Sequence, residues 1–323
     1  TLVEPTGNGV GSDAFAIVWD GKALHGLNAS GRSPAAWTPD RFAGHDKMPF
    51  RGWESVTVPG AVSAWVALSE RFGTLPFADL FEPAIGYAEN GFLVTPVIAE
   101  LWRRAADELG HHPGFAETFL PDGVAPKAGA RFVNRPLAKT LRLIADTRGD
   151  AFYTGSLADA ICDFAAAHGA ALSREDMAEH TVDWCGTISK TFDDVELHEI
   201  PPNGQGIAAL MGLGILSHTA IRDLEADDPL AFHLQIEAMK LALVDAEAYV
   251  ADSDHMNDVT AQALLEDTYL ASRAALIDPD KAQDFNAGAP KNGGTVYMTT
   301  ADASGMMVSF IQSNYAGFGS GVA

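Results

Sequence analysis

Apolar and polar positions divide the chain into a strand pair at each end and a helical stretch between them. Ala14–Trp19 and Lys22–Leu27 are predicted strands, and Asp20-Gly21 between them is a strong signal for a type I′ hairpin turn. Near the other end, two predicted strands flank a turn at Asp302–Gly305, and the first of them starts at Thr295. We expect the two strand pairs to meet in one sheet whose faces are covered by helices.

The central part shows the periodicity of helices. Val62 and Trp65 share one face of a helix predicted over Ala61–Phe72 and ended by Gly73. The polar segment His111–Arg135 is predicted to be an exposed excursion. Further helices are predicted over Phe77–Asn90, Pro96–Leu109, Leu137–Arg148, Ser156–His168, Ser173–His180, Ile207–Leu216, Ala231–Ala251 and Ala261–Ile277, and further strands over Thr187–Phe192 and Val195–Ile200.

Composition and charge narrow the class of protein. The 323 residues are 47% apolar and 20% charged, as in ordinary soluble globular proteins, and they suffice to bury a sizeable core. The net charge of −22 argues against nucleic-acid binding, because phosphate neutralisation needs clustered Lys and Arg. No apolar run approaches the roughly 20 residues of a membrane span. Cys162 and Cys185 lack metal-site spacing, and Cys162 is expected to be buried.

Thr295 is the main candidate for covalent chemistry. Gly293 and Gly294 precede it and allow unusual backbone dihedrals around a bond that could break, and the polar stretch Asp278–Gly294 is a plausible linker. A threonine at a new chain N-terminus could use its own α-amine, with an ordinary pKa of about 7.7–8.0, as the base that activates its hydroxyl. The alternative is an ordinary strand threonine after a loop, and the local pattern alone favours that alternative.

A series of short glycine- and proline-containing motifs runs along nearly the whole chain. In chain order they are Val3-Glu4-Pro5, Asn28-Ala29-Ser30-Gly31-Arg32-Ser33-Pro34-Ala35-Ala36, Val58-Pro59-Gly60, Arg71-Phe72-Gly73-Thr74-Leu75-Pro76, Pro83-Ala84-Ile85, Asn90-Gly91-Phe92, Pro201-Pro202-Asn203-Gly204-Gln205-Gly206, Glu237-Ala238-Met239-Lys240-Leu241-Ala242 and Phe318-Gly319-Ser320-Gly321. Taken in this order, they resemble the gamma-glutamyltransferases, and more closely the cephalosporin-acylase-like relatives of those enzymes.

This resemblance implies an α+β fold, the four-layer αββα sandwich of the N-terminal-nucleophile hydrolases, incomplete in this chain. It also implies a precursor that cleaves itself between Gly294 and Thr295. Residues 1–294 would then form a large-subunit region that lacks its start, and residues 295–323 the beginning of a small subunit whose remainder is missing. The mature Thr295 would attack an acyl amide and form an acyl-enzyme that water or an amine resolves. No cofactor and no metal is expected in catalysis.

Thr299 and Thr300 compete for the nucleophile role, because the transferases usually carry a Thr-Thr pair at the cleavage point. The turn at Asp302–Gly305 resembles the family's turn, and Phe318-Gly319-Ser320-Gly321 follows at the family's distance. Both comparisons assign the nucleophile to Thr295 and leave Thr299 and Thr300 as strand residues.

Four further residues receive candidate roles from the resemblance. Arg32 would clamp a substrate carboxylate with its forked guanidinium, with a surface loop arginine as the alternative. Ser313 would support catalysis beside the nucleophile, with a plain strand serine as the alternative. Tyr315 falls where the transferases place a substrate-binding asparagine, and Asn314 is one residue away and faces the other side of a strand.

The expected activity is that of a self-processing threonine enzyme acting on γ-glutamyl amides such as glutathione. Proline follows Arg32 by two residues instead of the transferases' usual four, as in the acylase-like relatives. A glutaryl- or cephalosporin-type acylase is therefore the alternative enzyme. A third possibility is an uncleaved relative that binds acyl peptides without turnover. The sequence leaves the compartment open between cytoplasm and periplasm or secretion.

Overall fold

The structure is a computed structural model that describes residues 2–256, 259–285, 296–314 and 316–323. The predicted sites Gly294, Thr295 and Tyr315 lie outside the described residues. The strands are β1 (Asp13–Trp19), β2 (Leu24–Ala29), β3 (Phe92–Leu93), β4 (Arg131–Phe132), β5 (Ile188–Phe192), β6 (Val195–Glu199), β7 (Val296–Ala301) and β8 (Met307–Ser313).

Helices fill the chain between the two end hairpins. They are α1 (Ala61–Phe72), α2 (Glu82–Asn90), α3 (Pro96–Leu109), α4 (Phe115–Phe119), α5 (Arg135–Thr147), α6 (Asp150–Tyr153), α7 (Ser156–Ala167), α8 (Arg174–Ala178), α9 (Ile207–Leu216), α10 (Pro229–Tyr249), α11 (Ala261–Leu265) and α12 (Asp267–Ala274). Within the described ranges, no helix is both long enough and apolar enough to cross a membrane.

A four-stranded antiparallel sheet joins the two ends of the chain in the order β2-β1-β8-β7. The prediction that the two strand pairs meet in one sheet is therefore confirmed. At one end of the sheet, Asp13 pairs with Ser313, Ala14 pairs with Ala29, and Val296 pairs with Gln312. The starts of β1 and β7 and the ends of β2 and β8 thus lie at the same end.

One face of this sheet packs on α1. Ala14, Ala16 and Val18 alternate along β1 and are buried, as expected for a strand with one covered face. Ala14 and Ala16 belong to the cluster that contains Ala61 and Ala64 of α1. These small side chains let the helix lie close to the sheet, so the start of α1 comes next to the start of β1.

Three further apolar cores lie among the helices. One contains α2, α5 and α7, and Cys162 lies within it as predicted, with its thiol free. A second joins α9 and α10, and α9 is buried on nearly all sides. The third is an aromatic cluster formed by Phe92, Trp102, Phe115, Phe132 and Phe318 together with aliphatic neighbours.

Two local predictions are wrong. The hairpin turn is closed by Asp20 and Ala23, whose backbone N and O are 3.2 Å apart, so Gly21 and Lys22 form its tip. Gly21 has a φ of 89° and Lys22 has no positive φ, whereas a type I′ turn needs both. The segment 111–135 is not simply an exposed excursion, because Phe115 and Phe132 are buried in the aromatic cluster.

Two predicted long helices are each interrupted. Phe77–Phe81 forms a 3₁₀ turn before α2, which starts at Glu82 with Pro83 in its first turn, where proline is tolerated. Glu266 is extended, with a ψ of 130°, and separates α11 from α12. The predicted cap of α8 is confirmed, because the Ser173 and Asp176 side chains form a reciprocal capping box.

Candidate active site

The candidate site lies at the end of the sheet where β1 begins and β8 ends. Asp13 pairs with Ser313 there, and the Asp13 carboxylate accepts a hydrogen bond from the backbone N of Gly31 at 2.9 Å. Arg32 follows Gly31 directly, so the structure brings the Arg32 segment and Ser313 to the same end of the sheet. Val296, the residue after Thr295, begins β7 at this end and pairs with Gln312.

Arg32 has a fixed backbone and an exposed side chain. Its carbonyl accepts a hydrogen bond from the backbone N of Val58 at 3.0 Å. A Cβ on Gly31 would lie 1.4 Å from the carbonyl O of Val58, so this close approach requires glycine. Within the described part of the chain, no carboxylate forms an ion pair with the Arg32 guanidinium, which remains available to an anionic ligand.

The Asp13 carboxylate is partly buried and anchors two loops. Oδ1 accepts hydrogen bonds from the backbone N of Gly31 at 2.9 Å and of Gly60 at 3.2 Å. Burial raises the pKa of Asp13 to about 6, although these two backbone hydrogen bonds favour its ionised form and lower the value in part. Asp13 is therefore ionised at neutral pH and begins to take up a proton in mildly acidic solution.

A neutral histidine lies near Arg32. Burial lowers the pKa of His180, and the nearby positive charge of Arg32 lowers it further. His180 Nε2 is 2.8 Å from Ser63 Oγ, and that hydroxyl donates its only proton to the Gly60 carbonyl at 2.6 Å. Nε2 therefore carries the imidazole proton and donates to Ser63, so Nδ1 is left as an acceptor.

Tyr153 completes this cluster. Its ring stacks on His180 with centroids 5.1 Å apart. Its hydroxyl donates to the Pro59 carbonyl at 2.8 Å and accepts from the backbone N of Ser63 at 3.0 Å, and burial raises its pKa to about 12. Ser63, Tyr153 and His180 were not predicted from the sequence, because they come from α1, from α6 and from the segment after α8 and share no motif.

An amide and hydroxyl network ties the 201–206 loop to the Arg32 segment. Asn28 Nδ2 donates to Asn203 Oδ1 at 2.8 Å, and Asn203 Nδ2 donates to Ser30 Oγ at 2.9 Å. The backbone N of Ser30 donates to Asn28 Oδ1 at 2.9 Å. The motifs around Asn28 and Asn203, which are far apart in sequence, are therefore in direct contact. This contact includes Ser30, which precedes Arg32 by two residues.

The end of β8 is held by side-chain contacts to α1 and to residues 7–9. Gln312 is buried; its Oε1 accepts from Trp65 Nε1 at 3.1 Å and its Nε2 donates to the Gly9 carbonyl at 3.2 Å. The Asn314 amide nitrogen, when oriented to satisfy its neighbours, donates to the Gly7 carbonyl at 3.0 Å and to the Ala316 carbonyl at 3.2 Å. These contacts give Asn314 a structural role; the predicted substrate roles of Asn314 and Tyr315 remain predictions.

The glycine-rich segment 317–321 is fastened to the body of the protein by Arg51 and Phe318. The Arg51 guanidinium donates to the carbonyls of Gly317, at 2.9 Å, and of Gly319. The backbone N of Gly52 donates to the Ser320 carbonyl at 2.7 Å. The Phe318 ring enters the aromatic cluster. Segment 317–321 therefore follows β8 on a path fixed by both polar and apolar contacts.

The described residues offer no cluster of three or more His, Cys, Asp or Glu side chains that could hold a metal ion. The acidic segment around Asp252 forms a short 3₁₀ turn with exposed side chains. The polar groups gathered at this end of the sheet suit recognition of an anion by Arg32 and of hydrogen-bond donors by His180.

Comparisons with known proteins agree along the whole chain. A family model described as gamma-glutamyltranspeptidase matches residues 1–323. The chain is 37% identical over 331 residues to an oxamate amidohydrolase proenzyme of Klebsiella pneumoniae and 34% identical over 328 residues to a glutathione hydrolase-like proenzyme of Bacillus subtilis. Each of these alignments covers 99% of this chain and 61% of the relative.

A similar structure has also been solved. The crystal structure of a cephalosporin acylase from Bacillus halodurans matches with a TM-score of 0.92 and 43% sequence identity, covering 100% of this chain and 60% of that chain. The chain thus spans less than two thirds of the length of each of these three relatives.

Proposed function

Because the chain belongs to the gamma-glutamyltranspeptidase family, we propose that the protein is a self-processing amide hydrolase or acyltransferase whose nucleophile is Thr295. The structural likeness confirms the predicted α+β class with the N-terminal-nucleophile hydrolase fold. The observation that carries the proposal is the exposed Arg32 guanidinium, which makes no ion pair with any residue that the structure describes and whose segment lies at the end of the sheet where β7, the strand after Thr295, begins.

Self-processing would proceed by an N-to-O acyl shift. The Thr295 hydroxyl attacks the carbonyl carbon of Gly294, the peptide C–N bond breaks, and an ester links Gly294 to the Thr295 oxygen. Water then hydrolyses the ester, which frees the Gly294 carboxylate, the Thr295 hydroxyl and the Thr295 α-amine. Residues 1–294 would belong to the large subunit, and residues 295–323 would begin the small subunit.

Catalysis on a substrate would use the same hydroxyl. The Thr295 α-amine takes up the hydroxyl proton as the oxygen attacks the amide carbonyl, and this proton passes to the leaving amine. The acyl group stays on the Thr295 oxygen as an ester until water, or an amine acceptor, attacks the ester carbonyl. Ser313, across from the first residue of β1, would support the proton transfers at the nucleophile.

We propose γ-glutamyl amides such as glutathione as the substrates. Arg32 would bind the substrate's carboxylate with two parallel N–H···O hydrogen bonds. The Nδ1 acceptor of neutral His180 beside Arg32 suits an ammonium group next to that carboxylate, as in a γ-glutamyl head group. One matched relative is named a glutathione hydrolase-like proenzyme, which supports this choice.

The second candidate is an acylase that removes a dicarboxylic acyl group such as glutaryl. The 43% identity to a cephalosporin acylase and the proline two residues after Arg32 favour it. The two candidates share the Arg32 carboxylate contact and differ in whether the acyl group carries an amine. Activity on γ-glutamyl-p-nitroanilide and on glutaryl-p-nitroanilide therefore separates them.

The first test is the intact mass of the purified protein beside a Thr295→Ala variant. We expect two pieces split between Gly294 and Thr295 for the wild type and one piece for the variant. Thr299→Ala and Thr300→Ala are matched controls from β7 and should still be cut. Cleavage that persists in Thr295→Ala would assign the nucleophile elsewhere. An uncut wild type would instead indicate a relative that binds acyl peptides without turnover.

A further inference from the structure

The Asp13 side chain links the Arg32 segment to both the start of α1 and the strand pair that carries Ser313. Its Oδ1 accepts from the backbone N of Gly31 and from the backbone N of Gly60. Asp13 itself is the first residue of β1, and its partner across the ladder is Ser313. This carboxylate therefore ties the Arg32 segment directly to the strand that pairs with the end of β8, in addition to the β1–β2 ladder and the Asn28–Asn203 contacts.

The backbone on both sides of Arg32 depends on this contact. On one side, the Gly31 N–H has the Asp13 carboxylate as its acceptor. On the other side, the Arg32 carbonyl is held by the backbone N of Val58. The Val58 segment leads directly into Gly60, whose N–H bonds to the same carboxylate oxygen. The segment of Gly31 and Arg32 and the segment of Val58 to Gly60 are therefore both hydrogen-bonded to Asp13.

The Arg32 side chain has no comparable support. It is exposed, and within the described ranges it makes no ion pair. A long guanidinium side chain loses rotamer freedom when it binds a carboxylate, so its affinity depends on how well its backbone is placed beforehand. Hydrogen bonds from backbone N–H groups to an ionised acceptor are stronger than neutral ones, which suits the partly buried Asp13 to this placement.

We infer that Asp13 is a positioning residue for carboxylate recognition: it fixes the backbone of Arg32 relative to Ser313 without contacting the substrate. The class of ligand in this inference, a carboxylate, rests on the proposed function. The placement of Arg32 by Asp13 rests on the hydrogen bonds alone. Loss of the Asp13 acceptor should weaken binding of carboxylate-bearing ligands and leave the chemical step largely unchanged.

The test is a double-mutant cycle between Asp13→Ala and Arg32→Ala in the full protein, read by calorimetric titration with glutarate. Asp13→Ala should weaken glutarate binding about tenfold, the scale of one charge-assisted hydrogen bond. In the Arg32→Ala background the same substitution should change binding less than about twofold. Asp13→Asn keeps an Oδ1 acceptor and should restore most of the affinity.

A matched control comes from the other end of β1. The Asp20 carboxylate also accepts two backbone hydrogen bonds, from Lys22 and Ala23, both at 2.8 Å, but lies at the hairpin turn. Asp20→Ala should leave glutarate binding unchanged. If Asp13→Ala does not fold by circular dichroism, Asp13→Ser replaces it, because a serine hydroxyl is too short to reach both N–H groups.

Kinetics provide a second readout. Asp13→Ala should raise KM for glutaryl-p-nitroanilide about tenfold while kcat changes less than about threefold, and KM for valeryl-p-nitroanilide should stay unchanged. Additive effects of Asp13→Ala and Arg32→Ala on glutarate binding would overturn the inference, and so would equal KM increases for both anilides. A wild type that binds glutarate but hydrolyses no amide would refute the proposed function and leave the inference about Asp13 standing. The double-mutant cycle of glutarate binding would still test that inference.

Discussion

Truncation of Phe318 tests how the glycine-rich segment is held. Its ring is 6% exposed, and its centroid lies 5.6 Å from Trp102, 5.1 Å from Phe115 and 4.9 Å from Phe119. Replacing a buried phenylalanine by alanine typically costs about 3–5 kcal/mol, since apolar burial is lost and a cavity remains. Phe318 has a φ of 57°, and alanine would keep the same backbone strain, so the change reports on packing alone.

The assay is urea unfolding in the Thr295→Ala background, in which the two sides of the proposed cut stay joined. Phe318→Ala should lower the free energy of unfolding by about 3–5 kcal/mol. Both circular dichroism and tryptophan fluorescence should report this change, the latter because Trp102 contacts the Phe318 ring. Phe232→Ala is the control: this phenylalanine is 54% exposed on α10, and its loss should cost less than about 1 kcal/mol.

Two results would contradict the expectation that the burial of the Phe318 ring determines the loss of stability. One is a loss below about 1 kcal/mol for Phe318→Ala, which would mean that the aromatic cluster closes around the missing ring. The other is an equal loss for Phe318→Ala and Phe232→Ala, which would mean that burial does not determine the cost. In the cleaved wild-type background, Phe318→Ala should in addition promote separation of the two pieces on size-exclusion chromatography.

Three further predictions concern charge, capping and the Arg51 contact. The folded-state pKa of Asp13, about 6, exceeds the ordinary 3.8, so its contribution to stability is fully present only below about pH 3 and is lost as pH rises through about 6. Wild type should therefore lose about 2.4 kcal/mol relative to Asp13→Asn between about pH 4 and 7.5, and a constant difference in urea unfolding would contradict this. Ser173→Ala removes the capping box of α8 and should cost about 1 kcal/mol in thermal unfolding, whereas the exposed Ser33→Ala should cost nothing measurable. Arg51→Met removes the donors to Gly317 and Gly319 and should speed proteolysis within 317–321; unchanged proteolysis would show that the Phe318 and Gly52 contacts hold this segment without Arg51.

The overall architecture was predictable because its signals are local and strong. The alternation along Ala14–Trp19 and the helical periodicity after Gly60 are properties of short windows, and both elements form where predicted. Burial at Phe115 and Phe132 was not predictable from the same windows, since polar neighbours, glycines and prolines surround these residues in sequence. Phe132 packs on Phe92 and Trp102, and Phe115 packs on Phe318, and these partners come together only in the folded chain.

The site was predictable only in part, for a related reason. Arg32 and Ser313 belong to motifs and could be named, and the sheet brings their segments to one end. Asp13 could not be distinguished from other strand-terminal aspartates, because its role depends on backbone N–H groups of Gly31 and Gly60. The pKa of His180 is lowered by burial and by Arg32, and its tautomer is set by Ser63. Both residues approach His180 only through tertiary packing. The roles of Thr295 and Tyr315 stay predictions.

The position of β8 between β1 and β7 has a consequence for biosynthesis. The β1–β2 hairpin leaves the ribosome long before its partner β8, and an isolated hairpin is at best marginally stable in water. Pairing of such distant segments is slow, because a long loop must close before the contacts form. Covalent continuity keeps this pairing unimolecular. A cut before Val296 made too early would turn sheet closure into an encounter between two molecules, so the order of events should be synthesis, sheet closure and then processing.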